Sequence, residues 1–161
     1  MILNALTVVH VVLSLIGIGS GVVAIHGLLK AKTLGRWTQT FLATTAATSI
    51  TGFLFPFDGV TPAQVLGVLS LIALIIASLS IYRYHSQGIW RRTYAITAVM
   101  VLYFNIFVLV VQLFRRVPAL SAMAPTQSEP PFQIAQFAVL LLFAAIGIRA
   151  ATAKPQRGLV L

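Results

Sequence analysis

Apolar residues run through this chain in five long stretches, separated by polar connections that carry nearly all of its charge. The stretches cover residues 3–29, 37–56, 63–83, 93–114 and 133–152. Each reaches the ~20 residues that an α-helix needs to cross a ~30 Å hydrocarbon layer at 1.5 Å per residue. The pattern predicts an all-α integral membrane helical bundle of five transmembrane helices, a single domain over 1–161.

The charges then orient the bundle. Lys30, Lys32 and Arg36 lie in the first connection, Arg83, Arg91 and Arg92 around the third, and Arg149, Lys154 and Arg157 at the C-terminal end; only Arg115 and Arg116 lie on the other side. Basic residues accumulate on cytoplasmic loops, so nine against two puts the N-terminus outside and the C-terminus in the cytoplasm. The same placement removes nucleic acid as a partner for the net charge of +9. These residues are loop ends at an anionic leaflet, and no basic run is interleaved with aromatics for stacking on bases. With 161 residues, 59% apolar and 8% charged, there is room for one membrane domain and no soluble one beside it. The first stretch lacks a basic leader and is about twice as long as the apolar part of a signal peptide, so it reads as an uncleaved helix.

The first three connections are short, which predicts antiparallel helical hairpins. Pro56 and Pro62 bracket a tight turn at Asp58-Gly59. Trp37 and Trp90 open the second and fourth stretches at the headgroup level that indole rings prefer. Around them, Gly35 to Thr44 matches Gly88 to Thr97, with Gly, Trp, Thr, an aromatic and Thr in register. This suggests two like-oriented hairpins, although shared interfacial chemistry accounts for such a match equally well. The fourth connection, 115–131, is long and holds Pro118, Pro125, Pro130 and Pro131. Its apolar residues favour packing on the outer surface with one short helical turn over disorder.

Two stretches, Phe41-Leu-Ala-Thr-Thr-Ala-Ala-Thr-Ser-Ile-Thr-Gly-Phe-Leu-Phe-Pro-Phe57 and Pro118-Ala-Leu-Ser-Ala-Met-Ala-Pro-Thr-Gln-Ser-Glu-Pro-Pro-Phe132, resemble those of a group of small bacterial inner-membrane proteins. The similarity extends over most of the chain and implies the bacterial inner membrane as compartment. No activity is established for that group, so the resemblance transfers no catalytic residue.

The absence of cysteine excludes disulfides, thiolate nucleophiles, iron–sulfur clusters and Cys-containing zinc sites. No nucleophile motif, phosphate loop or dinucleotide fingerprint occurs. Asp58 and Glu129 are too few and too far apart in sequence for a carboxylate pair. The first stretch carries His10, Ser14, Gly17 and Gly21 on one face, with a GxxxG suited to close helix contact. Thr44 and Thr48 belong to a hydroxyl stripe on the second, which either packs on a helix or lines a cavity. The fourth places Tyr94, Val101, Asn105 and Gln112 on one face, and Asn105 is expected to meet the hydroxyls of the second stretch.

His10 is the ionisable side chain set deepest in a span, and it either bonds a neighbouring helix or binds a ligand. The expected ligand site gathers His10, Asn105, Gln112, Gln133 and Gln136 in the outer leaflet, with Glu129 in the covering segment. His26 and His85 could ligate haem, although both sit at basic loop ends where an interfacial role is the simpler account. No metal site is expected. The leading functional reading is a non-enzymatic protein that binds a lipophilic ligand, quinone or lipid. The rivals are an accessory subunit of a larger membrane complex or homo-oligomer and, behind it, a b-type haem electron carrier. No midplane charge is present to couple a transporter to an ion gradient.

Overall fold

The computed structural model describes residues 2–56, 59 and 61–153; Asp58, Lys154 and Arg157 lie outside them. Among the described residues the chain is helical throughout, without strands. In order these are α1 (Ile2–Leu29), α2 (Gly35–Gly52), α3 (Pro62–Ser78) prolonged by a π-helical turn (Leu79–Arg83), α4 (Ile89–Arg116), a short α5 (Pro118–Met123) and α6 (Pro130–Thr152). Four segments are long and apolar enough to cross a membrane: Leu3–Leu29, Pro62–Arg83, Ile89–Arg116 and Pro130–Thr152.

The stretch 37–56, expected as a further span, is not among the four. Its helix, α2, ends at Gly52 after 18 residues and is rich in threonine. Beyond it the chain turns, with the Phe53 and Leu54 amides donating to Ile50 O and Thr51 O at 3.1 Å each. Polarity separates α2 from the four apolar segments.

Local chemistry sets the helix ends. α3 opens with a capping box: the Thr61 hydroxyl accepts from Gln64 N at 3.3 Å, and Gln64 Oε1 accepts from Thr61 N at 2.8 Å. α1 closes where Ala31 takes a left-handed conformation (φ 55°) and Lys32 N donates back to Gly27 O at 2.9 Å.

Helices α1 to α4 form a ring in which each touches the next and α4 closes back on α1; α6 lies outside it, mainly along α4. The α1–α2 seam is the most extensive and is built on glycine. A Cβ at Gly17 would lie 3.0 Å from Thr45 Oγ1, and one at Gly21 would lie 2.8 Å from the Phe41 ring. His10 meets Thr51 at one end of the seam and Gly27 meets Leu34 at the other. Positions thus rise along α1 as they fall along α2, which makes the pair antiparallel over its whole length.

The main buried cluster lies in one half of the bundle, towards Lys30, Arg83 and Arg91 (the basic end), with Phe114 and Ala124 buried apart from it at the other. The cluster contains Ala24 and Leu28 of α1, Phe41 of α2, Ala77 of α3, and Tyr94 and Val101 of α4. In the opposite half Val8, Leu15, Val65 and Leu69 are exposed. The two tryptophan segments play matching parts in this core. Phe41 and Tyr94, in register in the sequence, are both fully buried. Thr40 donates to Arg36 O and Thr93 to Ile89 O, the equivalent carbonyls, at 3.0 and 3.2 Å.

Candidate functional site

Threonine hydroxyls on α2 bond back to their own helix. Thr44 donates to Thr40 O at 2.7 Å, Thr48 to Thr44 O at 2.9 Å and Thr51 to Ala47 O at 2.8 Å. Their protons are therefore spent, and their oxygens are left as acceptors for other helices. His10 uses one of them: its Nδ1 lies 3.0 Å from Thr51 Oγ1. With the Thr51 proton given to Ala47 O, this contact suits the tautomer in which Nδ1 carries the ring proton. The Phe55 ring meets the imidazole edge-on at 5.3 Å. His10 is thus packed on α2.

Asn105 Nδ2 donates to Thr45 Oγ1 at 3.2 Å, across the bundle from α4 to α2. About two turns along α2 nearer the basic end, the Tyr94 hydroxyl donates to Thr38 Oγ1 at 3.3 Å. Gln112 is exposed.

Glu129, Gln133 and Gln136 make a third set, where the segment between α4 and α6 enters α6. The Glu129 carboxylate accepts from Thr126 Oγ1 at 2.8 Å and from the Thr126 and Ser128 amides at 3.1 Å each. Desolvation works to raise its pKa, but these hydrogen bonds outweigh it and hold the carboxyl below its ordinary value. Gln133 Nε2 donates to Ser128 O at 2.7 Å. Gln136 Nε2 reaches Phe107 O on α4 at 3.2 Å, while its Oε1 is buried without a partner among the described residues. The expected convergence of His10 with the glutamines is therefore corrected. His10 and Asn105 turn to α2, and the acceptors on α2 draw them away from α6.

Of the residues expected to pack helices, Gly17, Gly21 and Thr44 meet at the α1–α2 seam, and Thr48 is buried on the same helix. Ser14 bonds its own helix, at Val11 O, 2.8 Å away. His26 and His85 are both exposed, one on α1 and the other in the connection after α3, two helices that lie diagonally across the ring. Among the described residues no group of three His, Cys, Asp or Glu could hold a metal.

Two open grooves run along the bundle, and none of the six expected ligand residues lines either. One, of about 670 Å³, lies between α2 and α3 and includes Gln39, Ser78 and Tyr82. The other, of about 520 Å³, lies between α4 and α6 along Ile96, Met100, Tyr103, Phe143, Gly147 and Ile148. Its walls are almost purely hydrocarbon. Towards the outer end it meets an aromatic cluster, in which Tyr103 packs on Phe107 at 6.1 Å and on Phe143 at 5.9 Å. A spacing of three and four residues on both helices was the available signal for this groove, yet every lipid-facing helix shows it. Gln127, also unanticipated, donates from the outer segment to Val111 O on α4 at 2.9 Å. Compared with protein families, curated proteins and solved structures, the chain matches none.

Proposed function

We propose that this chain is a non-enzymatic protein of the bacterial inner membrane that crosses the bilayer five times, N-terminus outside, and holds a small lipophilic molecule, quinone or lipid. The observation that carries the ligand reading is the α4–α6 groove, not the outer-leaflet site expected around His10. A long apolar groove inside the hydrocarbon layer takes up a chain of matching chemistry without any polar cost. The fifth crossing is supported by the antiparallel seam, because α2 retraces α1 through the same depth. Thr40, Thr44, Thr48 and Thr51 are already bonded to carbonyls of this helix, so its 18 residues, roughly 27 Å long, lose less in lipid than their composition suggests.

A second reading, an accessory subunit of a larger membrane complex, draws on α6. Only Ala150 of that helix is buried, which leaves most of its surface free.

Gentle purification followed by mass spectrometry tests the ligand reading. Wild type should retain a quinone or lipid, and Gly147→Leu should lose it by filling the groove. Copurifying polypeptides with no lipophile would favour the subunit reading, and a Soret band would revive haem at His26 and His85. Reporter fusions after Arg36 and Arg92 should report cytoplasm, and those after Gly59 and Ser128 the outside. A cytoplasmic signal after Gly59 would remove α2 from the spans.

A further inference from the structure

We infer that the α4–α6 groove is the acyl-chain site of an anionic phospholipid of the inner leaflet, whose phosphate is met by Arg92. This rests on the groove reading above and adds the class of ligand and its direction. Three observations carry it. Arg92 is exposed and lies one turn before Ile96, on the α4 face that continues through Met100 and Tyr103 into the groove. Arg92 therefore stands one turn beyond the last α4 residue of the groove, at the basic end. At its other end the packed rings of Tyr103, Phe107 and Phe143 limit how far a chain can run. A phospholipid with one acyl chain in this groove lies in one direction, head to the basic end and tail towards the aromatics.

The second observation is charge balance. The chain holds only two acidic residues, Asp58 and Glu129, in the α2–α3 connection and immediately before α6. Chain order puts both connections at the end opposite Arg92, and among the described residues no acidic side chain pairs with it. Its neighbour Arg91 adds to the deficit, because its Nη2 is buried with no acceptor among the described residues. Phosphate is the anion that a planar guanidinium binds best at a membrane surface, through paired N–H donors.

The third observation fixes depth. Trp90 stacks on Tyr84 at 3.8 Å with the planes 2° apart, and such amphipathic rings settle at the headgroup level. Arg92 follows two residues later, about 3 Å along the axis. Its guanidinium is thus held at the level of lipid phosphates, while Ile96 and beyond lie at the level of the acyl chains.

The test uses the full chain, reconstituted in bilayers of equal phosphatidylglycerol and phosphatidylcholine, then repurified in mild detergent with the retained phospholipid quantified by mass spectrometry. Wild type should hold phosphatidylglycerol over phosphatidylcholine by about fivefold, the discrimination that one basic residue near a charged lipid surface provides. Arg92→Gln should retain the same total lipid with a ratio near one, and Arg92→Lys should keep most of the preference. Excess glycerol phosphate should not displace the lipid, since it lacks the chain. Gly147→Leu should lose the lipid; Ala144→Phe provides a second way to fill the groove if that variant does not fold. An unchanged preference in Arg92→Gln overturns the headgroup assignment and leaves the groove reading intact. Equal retention of both lipids by wild type does the same, and retention of quinone alone refutes the phospholipid. Loss of lipid on Arg92→Gln but not on filling the groove removes the groove itself.

Discussion

The two halves of this bundle are held together in different ways. Towards the basic end the helices meet through small residues and buried apolar surface: Gly21 against Phe41, with Ala77, Ala95 and Ala98 all fully buried. Towards the opposite end fewer apolar side chains are buried, and side-chain amides and an imidazole link the helices: His10 to Thr51, Gln136 to Phe107 O and Gln127 to Val111 O. Lipid provides no hydrophobic drive between helices, so close packing must come from shape, and where shape is lacking polar links take over. Packed contacts fail sharply when overfilled. Hydrogen bonds inside membranes are individually weak, so the outer half should tolerate substitution far better.

The largest effect should come from overfilling the packed half. A Cβ on Gly21 would lie 2.8 Å from two carbons of the Phe41 ring and 2.9 Å from Leu102 Cδ1, and Phe41 has no free space to retreat into. Gly21→Ala should therefore destabilise by about 1–3 kcal/mol, and Gly21→Leu should prevent assembly. Gly17→Ala should cost less, because its nearest neighbour is a threonine hydroxyl at 3.0 Å. Thermal unfolding in detergent would measure the order, and equal stability of Gly21→Ala and wild type would mean that the α1–α2 seam is looser than drawn.

Smaller effects are expected where polar links act. Asn105→Leu should cost about 0.6 kcal/mol, the typical worth of a hydrogen bond between membrane helices. Thr45 is fully buried and accepts from Asn105, so Thr45→Val in the same chain should recover part of that loss. Additive losses in this double-mutant cycle would show that the two groups do not interact. Gln136→Leu should be neutral or slightly stabilising. It gives up one bond to a carbonyl already within a helix and removes the buried, unpartnered Oε1.

This contrast explains what the sequence could reveal. Long apolar runs declare the four apolar helices, because their length and composition are properties of the chain alone. Gly17 and Gly21 were legible as a contact face for the same reason: small residues at i and i+4 have few other uses in lipid. The partner of each face was not legible. His10 was expected to look towards Gln112, Gln133 and Gln136, at similar depth, yet depth does not give direction around a ring of helices. What decided the matter was α2. Thr51 gives its proton to Ala47 O, and the Thr45 and Thr51 oxygens are what Asn105 and His10 meet. The π-helical turn at Leu79–Arg83 left no trace either, since its residues read as an ordinary continuation of α3.

The smallest effect lies at the outer edge, where Glu129 organises the turn that leads into α6. Its carboxylate accepts from the Thr126 hydroxyl and from two backbone amides, and these bonds favour the charged form. The folded pKa lies below the ordinary glutamate value, so the contribution is complete above that ordinary value. It is lost as pH falls through the lower folded one. The carboxylate is open to solvent, which keeps the effect local to the turn. Hydrogen exchange of the Thr126 and Ser128 amides should thus lose protection in acid, beyond the intrinsic pH dependence of exchange, while the α1–α2 seam stays protected. Glu129→Gln should show the weaker protection at every pH, because a neutral amide oxygen accepts less strongly than a carboxylate. If the variant keeps the wild-type acid transition, some other group titrates at this turn and Glu129 is not what orders it.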